Sequence, residues 1–316
     1  MKARILLCAA LLLVALPVAG QDTTGQPKFE VATTTPSASS SGMSALQAVI
    51  LGAVEGLTEY LPVSSTGHLT IVQGLLGLWG SPQEKDASNA YAICIQAGAI
   101  IAVFILYFGR IKGMVLGVFG RDRDGLKLLG NLIVALIPAV IFGVLLEDRI
   151  KEYLYGVWPV AGAWLVGGVF ILVALARRGK QGKELETLGV GSALIIGLAQ
   201  VLSLWPGVSR SLSTIAPALF VGLSMSAAVE FSFLLGLLTL GGATIYEALK
   251  VGPLIVSTFG WVSPVIGLVV AAVAAFIAVR WMVEYLRTRS LAIFGWYRIA
   301  IAIVAGILVV TGAIAG

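Results

Sequence analysis

Histidine is almost missing from this chain of 316 residues: there is one, His68. Cysteine is nearly as scarce. Cys8 lies in the extreme N-terminal segment and Cys94 stands alone in an apolar run, which excludes a disulfide within a processed chain and any paired-cysteine zinc site. Charge is short as well. Only 12% of residues are charged while 58% are hydrophobic, and the mean hydropathy of +0.98 lies outside the range of soluble globular domains. The chain is therefore read as an integral membrane protein. No Walker loop, G-x-G-x-x-G or HExxH motif is present, so nucleotide hydrolysis has no support. The net charge of +5 does not point to nucleic acid, because the basic residues lie in short loops between apolar runs and form no continuous patch.

What is present begins with a distinct N-terminus. Residues 1–20, "MKARILLCAALLLVALPVAG", combine a basic start at Lys2 and Arg4, a short apolar core and small residues at Ala19 and Gly20. These features predict a secretory signal peptide, an uncleaved anchor helix being the alternative. Residues 21–42 are rich in Ser and Thr and lack an apolar face, which predicts a flexible exported tail.

From Met43 on, apolar runs recur near the length of about 20 residues needed to cross hydrocarbon. Spans are expected at 88–108, 127–146, 157–176, 226–248, 260–281 and 294–314. Two further apolar segments, 43–80 and 188–224, are interrupted by "LPVSSTGH" and "WPGVSRS". Pro and Gly break the helical hydrogen-bond ladder, and a broken backbone at membrane depth is tolerated only where protein or a water-filled cavity surrounds it. Each is read as a re-entrant helix hairpin. With the start of this region outside, twelve basic residues fall inside: Arg110, Lys112, Arg121, Arg123 and Lys127, then Arg177, Arg178, Lys180 and Lys183, then Arg280, Arg287 and Arg289. Five, Lys28, Lys85, Arg149, Lys151 and Lys250, fall outside. The positive-inside rule and the signal-like segment thus agree on one orientation.

The expected fold class is an all-α polytopic membrane protein with an inverted-topology repeat, 43–176 and 188–314, each half a re-entrant hairpin plus three transmembrane helices. Three spans are odd in number, so the second copy enters from the opposite face. A faint echo supports the repeat: "GLTEYLPVSST" from Gly56 resembles "GLAQVLSLWPGVSRS" from Gly197, pairing Glu59 with Gln200.

Six ionisable groups lie within apolar segments, Glu55, Glu59, His68, Arg210, Glu230 and Arg298. Burying such groups is expensive, which makes them functional candidates. Glu55 and Glu59 are one helical turn apart, about 5–6 Å between Cβ atoms, and suit a divalent metal or acid–base chemistry beside a phosphate. A protonated or merely structural pair remains open. "SSTGHL" adds Ser64, Ser65, Thr66 and His68. His68 is the side chain here with an ordinary pKa near neutrality, able to act as a base for Ser65 or to be a structural donor. "PGVSRS" sets Arg210 between Ser209 and Ser211 in a turn before a helix, an anion cradle or a structural counter-ion. This cation-and-carboxylate mixture suits phosphoryl chemistry better than acyl transfer.

"EGLTEYLPVSSTGHL" (Glu55–Leu69), "LWPGVSRS" (Leu204–Ser211) and "EFSFLL" (Glu230–Leu235) resemble the signatures of the bacterial undecaprenyl-diphosphatase family, of the bacitracin-resistance type. The resemblance runs from about Met43 to the C-terminus, making 43–316 a membrane phosphatase domain. It implies interdigitated re-entrant hairpins and removal of the terminal phosphate of undecaprenyl diphosphate, which recycles the lipid carrier for cell-wall synthesis. It implies a bacterial inner-membrane location with the site facing the periplasm. The glutamate pair of that family falls on Glu55 and Glu59, its essential serine and histidine on Ser65 and His68, its phosphate-binding serine and arginine on Ser209 and Arg210. The chain departs from the pattern in its N-terminal extension, in "SRSLST" and in "LLTLGG".

The resulting expectation is a hydrolase. Arg210 and Ser209 hold the diphosphate, with Ser64, Thr66 and Ser211 beside them. Glu55 and Glu59 recruit Mg²⁺ or Ca²⁺. Ser65 or a water attacks phosphorus, with His68 as base or as the nucleophile itself. Expected partners are a polyprenyl diphosphate lipid, the bilayer and, as an open alternative to a monomer, a second copy in a homodimer. The competing reading is a transporter or flippase for a polyprenyl phosphate, since broken helices in inverted repeats are also a transporter feature.

Overall fold

The computed structural model describes residues 43–79, 82–176 and 181–314. The signal-like segment, the Ser/Thr-rich tail and the basic residues Arg177, Arg178 and Lys180 lie outside the described residues. Among the described residues there is no strand, only an isolated bridge between Lys183 and Leu223.

The helices in chain order are α1 (Ala45–Thr58), α2 (Ser65–Leu75), α3 (Pro82–Leu106), α4 (Phe108–Val118), α5 (Arg123–Leu154), α6 (Val157–Phe170), α7 (Val190–Gln200), α8 (Arg210–Phe220), α9 (Met225–Phe259), α10 (Val262–Thr288) and α11 (Ala292–Val310). A π-helical stretch, Ile171–Leu175, prolongs α6. Among the described residues six helices are long and apolar enough to cross a membrane, over Glu84–Leu106, Arg123–Leu146, Val157–Leu175, Met225–Lys250, Val262–Thr288 and Ala292–Val310. This is a multi-pass membrane protein. Their outward faces carry exposed Leu145, Val166, Val173 and Ile277, as a surface solvated by lipid requires.

The segment 108–118, expected as part of a basic loop, is instead helix α4. Arg110 and Lys112 disguise its apolar period. The helix nevertheless buries Met114 and Gly117, and Gly117 lies so close to Asp122 and Leu126 that a Cβ has no room.

The two interrupted segments are helix–loop–helix units. α1 opens on a capping box between Ser44 and Gln47 and stops before Leu61-Pro62, where proline disfavours the α conformation of the residue ahead of it. α7 ends in a 3₁₀ turn, Val201–Leu204, followed by Trp205-Pro206-Gly207. Each second helix starts after a serine in the left-handed region, Ser64 at φ 70° and Ser209 at φ 78°. Such a conformation is uncommon outside glycine and persists only where its surroundings impose it. α2 and α8 are then eleven residues each.

Small residues let the short helices sink into the long ones. Gly52 and Gly56 of α1 abut the backbone of Gly267 and Ala271 in α10, and Gly197 of α7 abuts Ala135 in α5. No space for a Cβ remains at these points, the close approach that small residues permit between membrane helices. α3 packs on α9 and α6 on α11. The broken loops, Glu59–Ser64 and Trp205–Ser209, are thereby brought together inside the bundle.

Candidate active site

Glu55 faces inward from the last turn of α1 and Glu59 follows as its C-cap; both are buried. Arg210, the first residue of α8, donates from Nη2 to Glu59 Oε1 at 3.0 Å and from Nη1 to the Ser232 carbonyl at 3.1 Å. Its guanidinium carbon lies 5.0 Å from the Tyr60 ring centroid, a cation–π arrangement. Gly236 leaves the room: a Cβ there would collide with the guanidinium. Ser65 Oγ donates to Glu59 Oε2. A hydroxyl, a carboxylate and a guanidinium are thus connected in series across the two halves of the chain.

His68 was expected to serve Ser65, and the structure arranges it differently. Nδ1 lies 2.7 Å from the Ser64 carbonyl, which can only accept, so Nδ1 carries the proton. Nε2 then accepts from the Tyr297 hydroxyl at 2.8 Å, with the two rings stacked. Both nitrogens are committed away from Ser65.

Ser209 and Ser211 bind the first loop. Ser211 Oγ donates to the Leu61 carbonyl at 2.8 Å and lies 3.0 Å from Ser209 Oγ, which also caps α8 at the Leu212 amide. Ser64 contributes its carbonyl to His68 and its φ to the turn. Thr66 is exposed.

A cleft opens beside Ser65, lined by Glu55, Ser65, Thr66, Leu69, Thr70, Gln73, Asn89, Ala92, Ile93, Gln96 and Tyr155. Thr66, Thr70 and Gln73 follow helical spacing on α2, facing Asn89 and Gln96 on α3. Glu59, Ser64, His68, Ser209, Arg210 and Ser211 are not part of this lining and stand as a layer behind it. The amide side chains and Tyr155 were not anticipated. Neutral amides in an apolar run carry no charge signal, and only the facing of α2 and α3 reveals them.

Glu55 Oε1 is buried without a hydrogen-bond partner. Two carboxylates beside one guanidinium leave one negative charge to balance, by a proton or a cation. Hard oxygen donors on the cleft wall suit Mg²⁺ or Ca²⁺. Among the described residues no group of three His, Cys, Asp or Glu forms, so protein carboxylates alone do not build a closed metal cage. Glu59 differs from Glu55, because Arg210 and Ser65 already occupy both its oxygens.

Glu230, by contrast, lies away from these groups: Arg110 Nε donates to it at 2.5 Å, and Arg110 Nη1 to Glu186 at 2.7 Å. Arg298 is fully buried and reaches both loops, donating to the carbonyls of Pro62, Gly207 and Val208.

Comparison with known proteins gives this arrangement its relatives. The chain is 44% identical over 260 residues to an undecaprenyl-diphosphatase of Sorangium cellulosum, covering 80% of this chain and 83% of that one. It is 42% identical over 264 residues to one of Ectopseudomonas mendocina, covering 82% and 92%. A third, from Deinococcus deserti, is 38% identical over 270 residues, covering 84% and 95%. The profile of the bacitracin resistance protein BacA family matches residues 48–304, a stretch that holds every group described above, and the chain belongs to that family.

Proposed function

We propose that this protein hydrolyses undecaprenyl diphosphate to undecaprenyl phosphate and inorganic phosphate, recycling a lipid carrier of cell-wall synthesis. The observation that carries this reading is Ser65 donating to a glutamate that is itself held by Arg210, in a chain whose relatives are undecaprenyl-diphosphatases. Serine is a weak nucleophile until a base takes its proton, and Glu59 is in place to take it. Ser65 Oγ attacks the terminal phosphorus as its proton passes to Glu59. The bond from phosphorus to the bridging oxygen breaks, and undecaprenyl phosphate leaves. Water then cleaves the phosphoserine: Glu59 returns its proton to Oγ, and Glu55 accepts one from the water. Arg210 orients Glu59 and supplies the nearest fixed positive charge, aided by Ser209 and Ser211, which brace the second loop on the first. Thr66 and the amides of Gln73, Asn89 and Gln96 orient the diphosphate in the cleft. Ser64 and His68 shape the turn that presents Ser65.

A divalent cation, Mg²⁺ or Ca²⁺, is part of this reading. Its protein ligand is Glu55 with cleft oxygens, in preference to the expected Glu55–Glu59 pair, and when bound it neutralises phosphate charge. The inverted repeat belongs here too. Matched lengths of α2 and α8, left-handed serines before each, and the exchange in which α1 packs on α10 and α7 on α5 support two interlocked, oppositely oriented copies. Their broken tips are re-entrant, and the site faces the periplasm of the bacterial inner membrane. A carrier for polyprenyl phosphate is disfavoured, since transport has no use for a serine hydroxyl aimed at a carboxylate.

The test is release of inorganic phosphate from undecaprenyl diphosphate by the purified full chain, with and without a chelator. Stoichiometric release abolished by chelation and restored by Mg²⁺ or Ca²⁺ is expected. Absence of release under all conditions would overturn the reading.

A further inference from the structure

We infer that Arg298 is a positioning residue for this reaction: its guanidinium clamps the main-chain carbonyls of both broken loops and thereby aims Ser65 and Arg210 at Glu59. The inference rests on the hydrolase reading above and assigns a role to a residue outside the reacting groups.

Arg298 lies on α11 with no exposed surface. Its hydrogen-bond partners among the described residues are all carbonyl oxygens: Pro62 at 3.2 Å and Val208 at 3.2 Å from Nη1, Gly207 at 2.9 Å and Ala163 at 2.8 Å from Nη2, and Trp164 at 3.4 Å from Nε. A buried cation ordinarily has a carboxylate partner. This one uses its planar fork of donors entirely on backbone. Three of the five acceptors are in the two loops, one before and two after the midpoint of the chain.

Those acceptors are placed where they matter. The Val208 carbonyl belongs to the peptide that enters Ser209, so holding that plane fixes the left-handed φ of Ser209. The peptide entering Ser64 is held in the same manner, its Val63 carbonyl accepting from Trp164 Nε1 at 2.8 Å, and Trp164 in turn gives its carbonyl to Arg298. Beyond each strained serine comes the residue that reaches Glu59: Ser65 in one loop, Arg210 in the other. Two loops that are far apart in sequence meet in register because this side chain holds both, alongside the direct bond from Ser211 to the Leu61 carbonyl. Arg298 does not line the cleft and does not bond Glu59; its action is through the backbone.

Gly167 provides an independent lever. It packs flat against the guanidinium, and a Cβ there would collide with Nη2. Gly167→Ala therefore displaces the fork while keeping its charge.

The experiment measures kcat and KM for phosphate release from undecaprenyl diphosphate, with folded fraction and thermal unfolding, in wild type, Arg298→Lys, Gly167→Ala and the double variant. Misplacing a reacting group by about 1 Å can cost on the order of 100-fold. Both single variants should fold, lose about 10- to 100-fold in kcat and keep KM within about threefold of wild type, because the cleft is untouched. The double variant should be no worse than the poorer single, since both remove one clamp. Full kcat in Arg298→Lys would mean that charge alone suffices and would overturn the inference. So would a loss that follows the folded fraction, or wild-type kcat in Gly167→Ala, which decides the matter if Arg298→Lys fails to fold. An inactive wild type would instead sink the hydrolase reading, a distinct result.

Discussion

At the scale of single residues, the polar island in α1, α2 and the loop between them was legible because charge and hydroxyls in oil are conspicuous. Its wiring was not. Ser65 and His68 are neighbours in sequence, and their pairing was the natural expectation. The Ser64 carbonyl and the Tyr297 hydroxyl take the two nitrogens of His68 instead, while Ser65 meets Glu59 across the loop. Tyr297 comes from the far end of the chain, so sequence proximity could not suggest it. The two assignments predict different mutants. With Glu59 as base, Glu59→Gln should match Ser65→Ala, each losing about 10²- to 10⁴-fold in turnover, while His68→Gln keeps a hydrogen-bonding side chain and retains more. Single-turnover phosphate release on the three variants decides this. A His68→Gln loss equal to that of Ser65→Ala, with Glu59→Gln active, would restore histidine as the base.

At the scale of elements, six spans were readable from hydropathy because each buries or exposes an unbroken apolar run, and the helices fall within a few residues of the expected limits except where α3 begins earlier and α5, α9 and α10 run on past the expected ends. Helix α4 escaped, since its basic residues resemble a loop. The depth of helix contact was also hidden: glycine in a membrane helix is common, and only the neighbour shows which glycine is indispensable. Gly56 lies against the Ala271 carbonyl and Ala275, whereas Gly162 on α6 has nothing within 4 Å. Gly56→Val should therefore force α1 off α10 and destabilise the fold by about 1–3 kcal/mol, the usual cost of overpacking. Gly162→Ala should leave thermal unfolding in detergent unchanged or slightly raised. Equal melting behaviour of the two variants would show that the α1–α10 contact is not tight in the membrane protein as it exists.

At the scale of the whole molecule, the charges separate the two ends. Arg110, Glu186, Glu230 and Lys127 cluster where α4, α5 and α9 meet the segment before α7. The hydrogen bond from Arg110 holds the Glu186 carboxyl below its ordinary range. This contact stabilises above the usual carboxylate pKa and is lost only as pH falls through the lowered value, so the cluster is intact near neutrality. The cleft lies toward the other end, where Asn89 of α3 and Tyr155 after α5 frame it. In the proposed orientation, with the basic loops on the cytoplasmic side, the cleft would open to the periplasm. Sidedness is testable with single cysteines at Trp261, in the turn between α9 and α10, and at Lys183, beside the charged cluster; both positions are exposed. An impermeant maleimide that can reach the periplasm should label Trp261→Cys in intact cells and Lys183→Cys only after lysis. Cys94 is half-buried within a span and should remain unlabelled in both. Labelling of Lys183→Cys in intact cells would invert the orientation and move the chemistry to the cytoplasmic face.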